Sequence, residues 1–176
     1  PFYFVIIKIM KKVICLLVIG KKYEKIFSRN ELMFRKYAQK TGSELFVIRS
    51  PLDSSGNRNI LSQKMLIPKM VSDYDIGLYL DLDIIINENA PDIFEELPED
   101  KGLGAVIDPR NTEEFKKTWT IKNETIRDYF ETRNFNFQDS LIGSINGGVF
   151  LFRPKLVSGI FEEYYNSGHY TGNFHP

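Results

Sequence analysis

Two aspartates, Asp81 and Asp83, stand in the stretch "DIGLYLDLDIIIN" (Asp75 to Asn87), where the surrounding residues read as a buried strand. A carboxylate withdrawn from water costs several kcal/mol unless something compensates it, here about that much for each of two. Residues i and i+2 of a strand point to the same side, so the spacing predicts that Asp81 and Asp83 face together while Leu82 turns into the packed side. Two carboxylates so placed repel unless a cation or a proton lies between them. Oxygen donors without a thiolate or nearby imidazole suit a hard divalent ion, Mn²⁺ or Mg²⁺, whose other positions would go to water and a ligand's phosphate oxygens.

The elements needed to position this pair can be read along the chain. "VICLLVIG" (Val13–Gly20) is a continuous apolar run of strand length ending in glycine. The segment "SRNELMFRKYAQKTG" places Met33, Phe34, Tyr37 and Ala38 on one helical face, with Ser28 or Asn30 able to cap its start and Gly42 to end it. A second strand is expected over Glu44–Arg49, followed by a loop dense in turn formers. A second helix is expected over Ile60–Ser72, kinked or broken at Pro68. The third strand carries the aspartates, "NENAPDIFEELPED" reads as a turn and short amphipathic helix, and "LGAVID" and "SINGGVFLFRP" read as strands four and five. Between them, one helix is expected near Glu124–Glu131. Strands and helices that alternate in this way, with apolar strands, predict an α/β fold: a mostly parallel sheet with helices on both faces. Such sheets bind ligands beyond the carboxyl ends of their strands, which is where Asp81 and Asp83 would lie.

Composition narrows the classes. The 176 residues carry 23 basic and 23 acidic side chains and are 43% hydrophobic, which fits one folded domain with a sizeable core. No run concentrates positive charge, so a nucleic-acid partner is not expected. Cys15 is the single cysteine, which leaves no internal disulfide and fits a reducing, cytoplasmic setting. The apolar start "PFYFVIIKIMKKVICLLVIG" is divided by Lys8, Lys11 and Lys12 into runs too short to span a bilayer, so no integral membrane segment is expected. Met10 stands where a natural start would fall. Residues 1–12 are therefore expected to be an N-terminal extension, its first nine residues lying upstream of that start, and residues 13–176 the domain.

"YLDLDIII" resembles the D-x-D strand end of GT-A-fold nucleotide-sugar glycosyltransferases, especially glycosyltransferase family 8 and its relatives. "SQKMLIPKM", "LGAVIDPR" and "INGGVFLFRP" resemble further elements of that family in the same order, so the likeness runs from about Val13 to Pro154. It implies a three-layer, Rossmann-like nucleotide-binding domain, a nucleoside-diphosphate sugar donor such as a UDP-hexose, and a divalent metal held by Asp81 and Asp83. By the same resemblance Lys64, 17 residues ahead of Asp81, reaches the donor. Asp108 and Asn146 would contact the sugar, Gly147 and Gly148 would allow its close approach, and Gly20, Asp81 and Leu82 would line the nucleotide. Asn57 and Arg58 are further candidates for phosphate. Trp119, Phe130, Phe135 and Phe137 are candidates for an acceptor floor, the acceptor itself (glycan, lipid or protein) being unspecified. The family's acidic-Gln element and later metal-binding His have no counterpart before "GNFHP", and neither His169 nor His175 has the family's spacing. The domain is thus expected to be incomplete at its C-terminus. Two alternatives stay open: a nucleotide-sugar-binding module without turnover, and a haloacid-dehalogenase-type phosphatase with Asp81 as nucleophile and Asp83 as general acid.

Overall fold

The computed structural model describes residues 9–107 and 145–167. Asp108, Trp119, Phe130, Phe135, Phe137, His169, His175 and the helix expected near Glu124–Glu131 lie outside them. The chain divides into two compact units, Pro1–Gly104 with Gly148–Tyr170, and Ala105–Gly147 with Thr171–Pro176.

The described elements are β1 (Lys12–Leu17), α1 (Lys21–Thr41), β2 (Glu44–Ile48), a 3₁₀ helix (Ile60–Leu66), α2 (Ile67–Met70), β3 (Ile76–Leu80), a second 3₁₀ turn (Ile93–Glu96), β4 (Leu103–Ile107), β5 (Ile145–Phe152) and α3 (Pro154–Asn166). They form the mixed α/β fold expected from the alternating pattern. The sheet has five strands in the order β2-β1-β3-β5-β4. β1 pairs in parallel with both β2 and β3, and β5 runs antiparallel to β3.

Strand alternation decides the layers. The even-numbered residues Ile14, Leu16, Ile76, Leu78 and Leu80 join Phe27, Phe34, Tyr37 and Ala38 of α1 in one apolar cluster. The odd-numbered Val13, Cys15 and Tyr79 are equally buried. On that second side Phe150 meets Phe161 of α3, ring centroids 6.3 Å apart. Burial pushes the Cys15 thiol pKa up, leaving an inert apolar filler. Gly77 is paired with Phe152, and a Cβ there would lie 2.3 Å from the Phe152 ring. The ring therefore covers a backbone that only glycine leaves open.

Several boundaries differ from expectation, each for a local reason. β1 takes in Lys12, whose ammonium pairs with Asp92 at 2.7 Å, and the strand ends at Leu17 although Val18 and Ile19 remain buried. α1 begins seven residues before Ser28, directly after Gly20. "KKYEKIF" is polar because it supplies the exposed face of that helix, while Phe27 is buried. Ser28 and Asn30 consequently lie inside α1 and do not cap it. Gly42 does end the helix, at φ 63°, with its N–H on the helix's last carbonyls. The element expected over Ile60–Ser72 is a 3₁₀ helix running into a single α turn. Pro68 opens that turn, where a missing N–H costs little, instead of kinking a longer helix. Pro154 opens α3 in the same way.

Candidate functional site

β3 stops at Leu80, and Asp81–Ile84 form a turn closed by the Ile84 N–H on the Asp81 carbonyl at 3.3 Å. Asp81 and Asp83 thus flank Leu82 in a turn at the carboxyl edge of the parallel strands. The strand argument that set them on one side does not apply past Leu80. Three contacts position the turn. The Asp81 N–H donates to the Gly148 carbonyl at 2.8 Å. Leu82 is packed into the α1-side cluster, 6% exposed, as its expected inward orientation required. The Leu82 carbonyl accepts from Asn30 Nδ2 of α1 at 2.9 Å.

Around Asp81 the geometry is specific. Its Oδ1 accepts a hydrogen bond from the Tyr79 hydroxyl at 2.6 Å and lies 3.7 Å from Lys64 Nζ. The Asp81 side chain is 37% exposed and that of Lys64 19%. The same ammonium stands 5.1 Å above the centroid of the Tyr79 ring, close enough for a cation–π contact. Tyr79 is 2% exposed and stacks on Phe150 with centroids 5.0 Å apart. Burial first, then the charge and hydrogen bond of Asp81, raise the Tyr79 pKa far above that of a free phenol, with a smaller contribution from Asp83. The hydroxyl is therefore a permanent donor, and both carboxylates act on it electrostatically. Asp83 is exposed.

The Lys64 support is equally defined. Its neighbour Gln63 is 2% exposed and accepts from the N–H groups of Leu52 and Asp53 at 2.7 and 3.1 Å, while donating to the Asp53 carbonyl at 2.9 Å. One amide thereby staples the loop after β2 to the 3₁₀ helix that presents Lys64. Across this loop Asp53 accepts from the Tyr165 hydroxyl of α3 at 2.8 Å, and its carboxyl is held below the usual range by the Ser55 and Tyr165 hydrogen bonds. The Arg58 guanidinium lies 5.8 Å from the Tyr165 ring centroid, and the Asn57 N–H donates to Ser55 Oγ at 3.3 Å.

Of the residues singled out by sequence, Lys64, Asp81 and Gly148 are brought into one place, with Leu82 and Asp83 on the same turn. Gly20 sits between β1 and α1 at φ 96°, a left-handed value that favours glycine. Asn146 and Gly147 are exposed residues at the start of β5, in the second unit. Asp108 lies outside the described residues. Sequence reasoning missed Tyr79, Gln63 and Asn30. For Tyr79 the signal was present: two residues before Asp81 on an apolar strand, a tyrosine adds a hydroxyl that must find a partner. A cavity of about 230 Å³, lined by Leu78, Leu80, Ile84, Ile86, Val149 and neighbours, shares Ile84 with the turn but has neither aspartate in its lining.

Among the described residues no group of three or more His, Cys, Asp or Glu gathers. The carboxylates on the turn itself are Asp81 and Asp83. They suit a hard ion bound through few protein oxygens, with Asp81 anchored and Asp83 open to solvent. Among the same residues no helix is long and apolar enough to cross a membrane.

No protein-family model matches the chain, and no curated protein matches its sequence. Solved structures do. A glycosyltransferase involved in glycosylation of the major capsid of PBCV-1 is similar with a TM-score of 0.53 at 12% identity, over 94% of this chain and 72% of that one. The galactosyltransferase LgtC, in complex with donor and acceptor sugar analogues, gives a TM-score of 0.53 at 16% identity, over 88% of this chain and 65% of its own. The apo bifunctional glycosyltransferase WbbM gives 0.51 at 12% identity, over 93% of this chain and 34% of its own. At such identities the likeness is one of fold, and the fold is the GT-A-like one of these glycosyltransferases.

Proposed function

We propose that the chain binds a nucleoside-diphosphate sugar, a UDP-hexose in the first instance, and transfers its sugar to an acceptor. The observation that carries this reading is the convergence of Lys64, Tyr79 and Asp81 at the end of β3, within a fold shared with glycosyltransferases. A cation, a protonated phenol and a carboxylate, with a second carboxylate on the same turn, are suited to a metal–diphosphate. Asp81 and Asp83 would hold Mn²⁺ or Mg²⁺. When bound, such an ion supplies Lewis-acid neutralisation of the charge that develops on the departing diphosphate.

The chain's own residues do the rest. The Lys64 ammonium, held by the Gln63 staple, meets phosphate charge from the side facing Asp81. Asn30 and Gly148 fix the turn backbone from two directions. In this reading Asp108 and Asn146 orient the sugar hydroxyls, Gly147 and Gly148 leave room for the ring, and Gly20 and the turn at Leu82 border the nucleotide. LgtC, whose complex contains donor and acceptor sugar analogues, supports a donor site of this kind by analogy of fold. The phosphatase alternative is not favoured: the aspartates follow the third strand, after a complete β-α-β, and the similar structures are glycosyltransferases.

Titration calorimetry with UDP-glucose and UDP-galactose, with and without Mn²⁺, tests the reading. Binding that requires Mn²⁺ and disappears in Asp83→Ala is expected. Absence of binding to either nucleotide sugar in the presence of Mn²⁺ would sink it, and a covalent aspartyl-phosphate would revive the phosphatase. Release of free sugar or glycosylated acceptor then separates a transferase from a binding module.

A further inference from the structure

Tyr79 has a ring that packs as any buried aromatic would, stacked on Phe150 with the Lys64 ammonium 5.1 Å from its centroid, so a phenylalanine would satisfy the packing. The hydroxyl needs its own reason, since a buried phenol without a partner is costly. Its partner is Asp81 Oδ1 at 2.6 Å, a charge-assisted bond at the short end of the ordinary range. The Asp81 backbone is held by its N–H on the Gly148 carbonyl, while its side chain lies beyond the end of β3 and is more than a third exposed. Tyr79 is itself immobile: its backbone is paired with Cys15 on one side and Phe150 on the other. A buried, strand-held donor is thus attached to a part-exposed carboxylate, with the Lys64 ammonium beside the same oxygen.

We infer that Tyr79 is a positioning residue for the cation site: its hydroxyl holds the Asp81 carboxylate in one orientation for a divalent ion. This rests on the donor-site reading above and gives Tyr79 a specific, separately testable task within it. Hydrogen-bonding partners of ligating carboxylates orient them, and losing one typically costs about 10- to 100-fold in metal affinity.

The test is direct Mn²⁺ binding, followed by the loss of the free-ion electron paramagnetic resonance signal, with and without UDP. It compares the unaltered protein, Tyr79→Phe and Tyr37→Phe. Tyr37 is the matched control: its buried hydroxyl donates to the Pro91 carbonyl at 2.7 Å and accepts from the Ile93 N–H at 3.1 Å on the other side of the sheet. Both variants keep the ring and lose one bonded hydroxyl, so both are expected to melt a few degrees lower. Only Tyr79→Phe is expected to lose about tenfold or more in Mn²⁺ affinity. Equal Mn²⁺ affinity in Tyr79→Phe and the unaltered protein would overturn the inference while leaving the donor site intact. Equal losses in both variants would reduce the hydroxyl to a structural role and overturn it too. Failure of the unaltered protein to bind Mn²⁺ with UDP present would instead overturn the donor site on which it rests.

Discussion

Along β3 and the turn that follows, Ile76, Leu78, Leu80 and Leu82 all enter the apolar cluster beneath α1. The intervening residues form a different series: Gly77 under the Phe152 ring, Tyr79 with a buried ring and a bonded hydroxyl, then the half-exposed Asp81. One side of a seven-residue stretch is uniform, and the other changes from no side chain to a charge as it approaches the ligand edge. The difference shows how a single strand can anchor a core and present chemistry without compromise. Within β3 period-two alternation assigns the tasks to separate faces, and beyond Leu80 the contacts of the turn carry the division on, with Leu82 packed inward and Asp81 at the ligand edge.

If that division holds, substitutions on the two sides should fail in different assays. Leu78→Ala, in the fully buried series, is expected to cost about 2–5 kcal/mol in urea unfolding while leaving the Mn²⁺ affinity of the folded protein unchanged. A parallel loss of affinity would show the faces to be coupled. Asp83→Ala is expected to do the reverse, with at least about a hundredfold loss of metal-dependent nucleotide binding, roughly 2.7 kcal/mol, and an unchanged urea midpoint. Gly77→Ala probes the second series at its quiet end. Its new methyl must displace the Phe152 ring, costing about 1–3 kcal/mol of stability, and since Phe152 leads through Phe150 to Tyr79, a measurable shift in Mn²⁺ affinity should accompany it. Smallest is Gly42→Ala, at the left-handed end of α1 and remote from both series: about 1 kcal/mol in thermal unfolding and no effect on binding.

The same contrast explains what could be read from sequence. The apolar series is a pattern, and patterns are visible: β1 and β5 occur where expected, give or take a few terminal residues, and β3 begins as expected but ends at Leu80, ahead of the aspartates it was expected to carry. The GT-A-like fold followed from the resemblance of short motifs taken in order, and the same resemblance singled out Lys64 and Asp81, which the structure sets 3.7 Å apart. What could not be read is pairwise and non-local. Asn30 looked like a helix cap because its partner, the Leu82 carbonyl, lies 52 positions away. Gln63 carries no signal in the sequence, since nothing in "SQKM" announces that the loop at Leu52 and Asp53 will fold against it. The early start of α1 was hidden by lysines that belong to its exposed face. α3 shows the opposite case, a legible helix left unread: Pro154 precedes Val157, Phe161 and Tyr165 at helical spacing.

The Asn30–Leu82 hydrogen bond has a thermodynamic consequence for any ligand of the turn. It joins the backbone between the two aspartates to the middle of a 21-residue helix. Freedom that an untethered four-residue turn would surrender on meeting a ligand is instead lost when α1 docks, as part of folding. Affinity at the turn is therefore set less by the ordering of the loop than by the charges it displays. Weakening the tether should appear as a less favourable binding entropy at nearly constant enthalpy, a signature separate from that of removing either carboxylate.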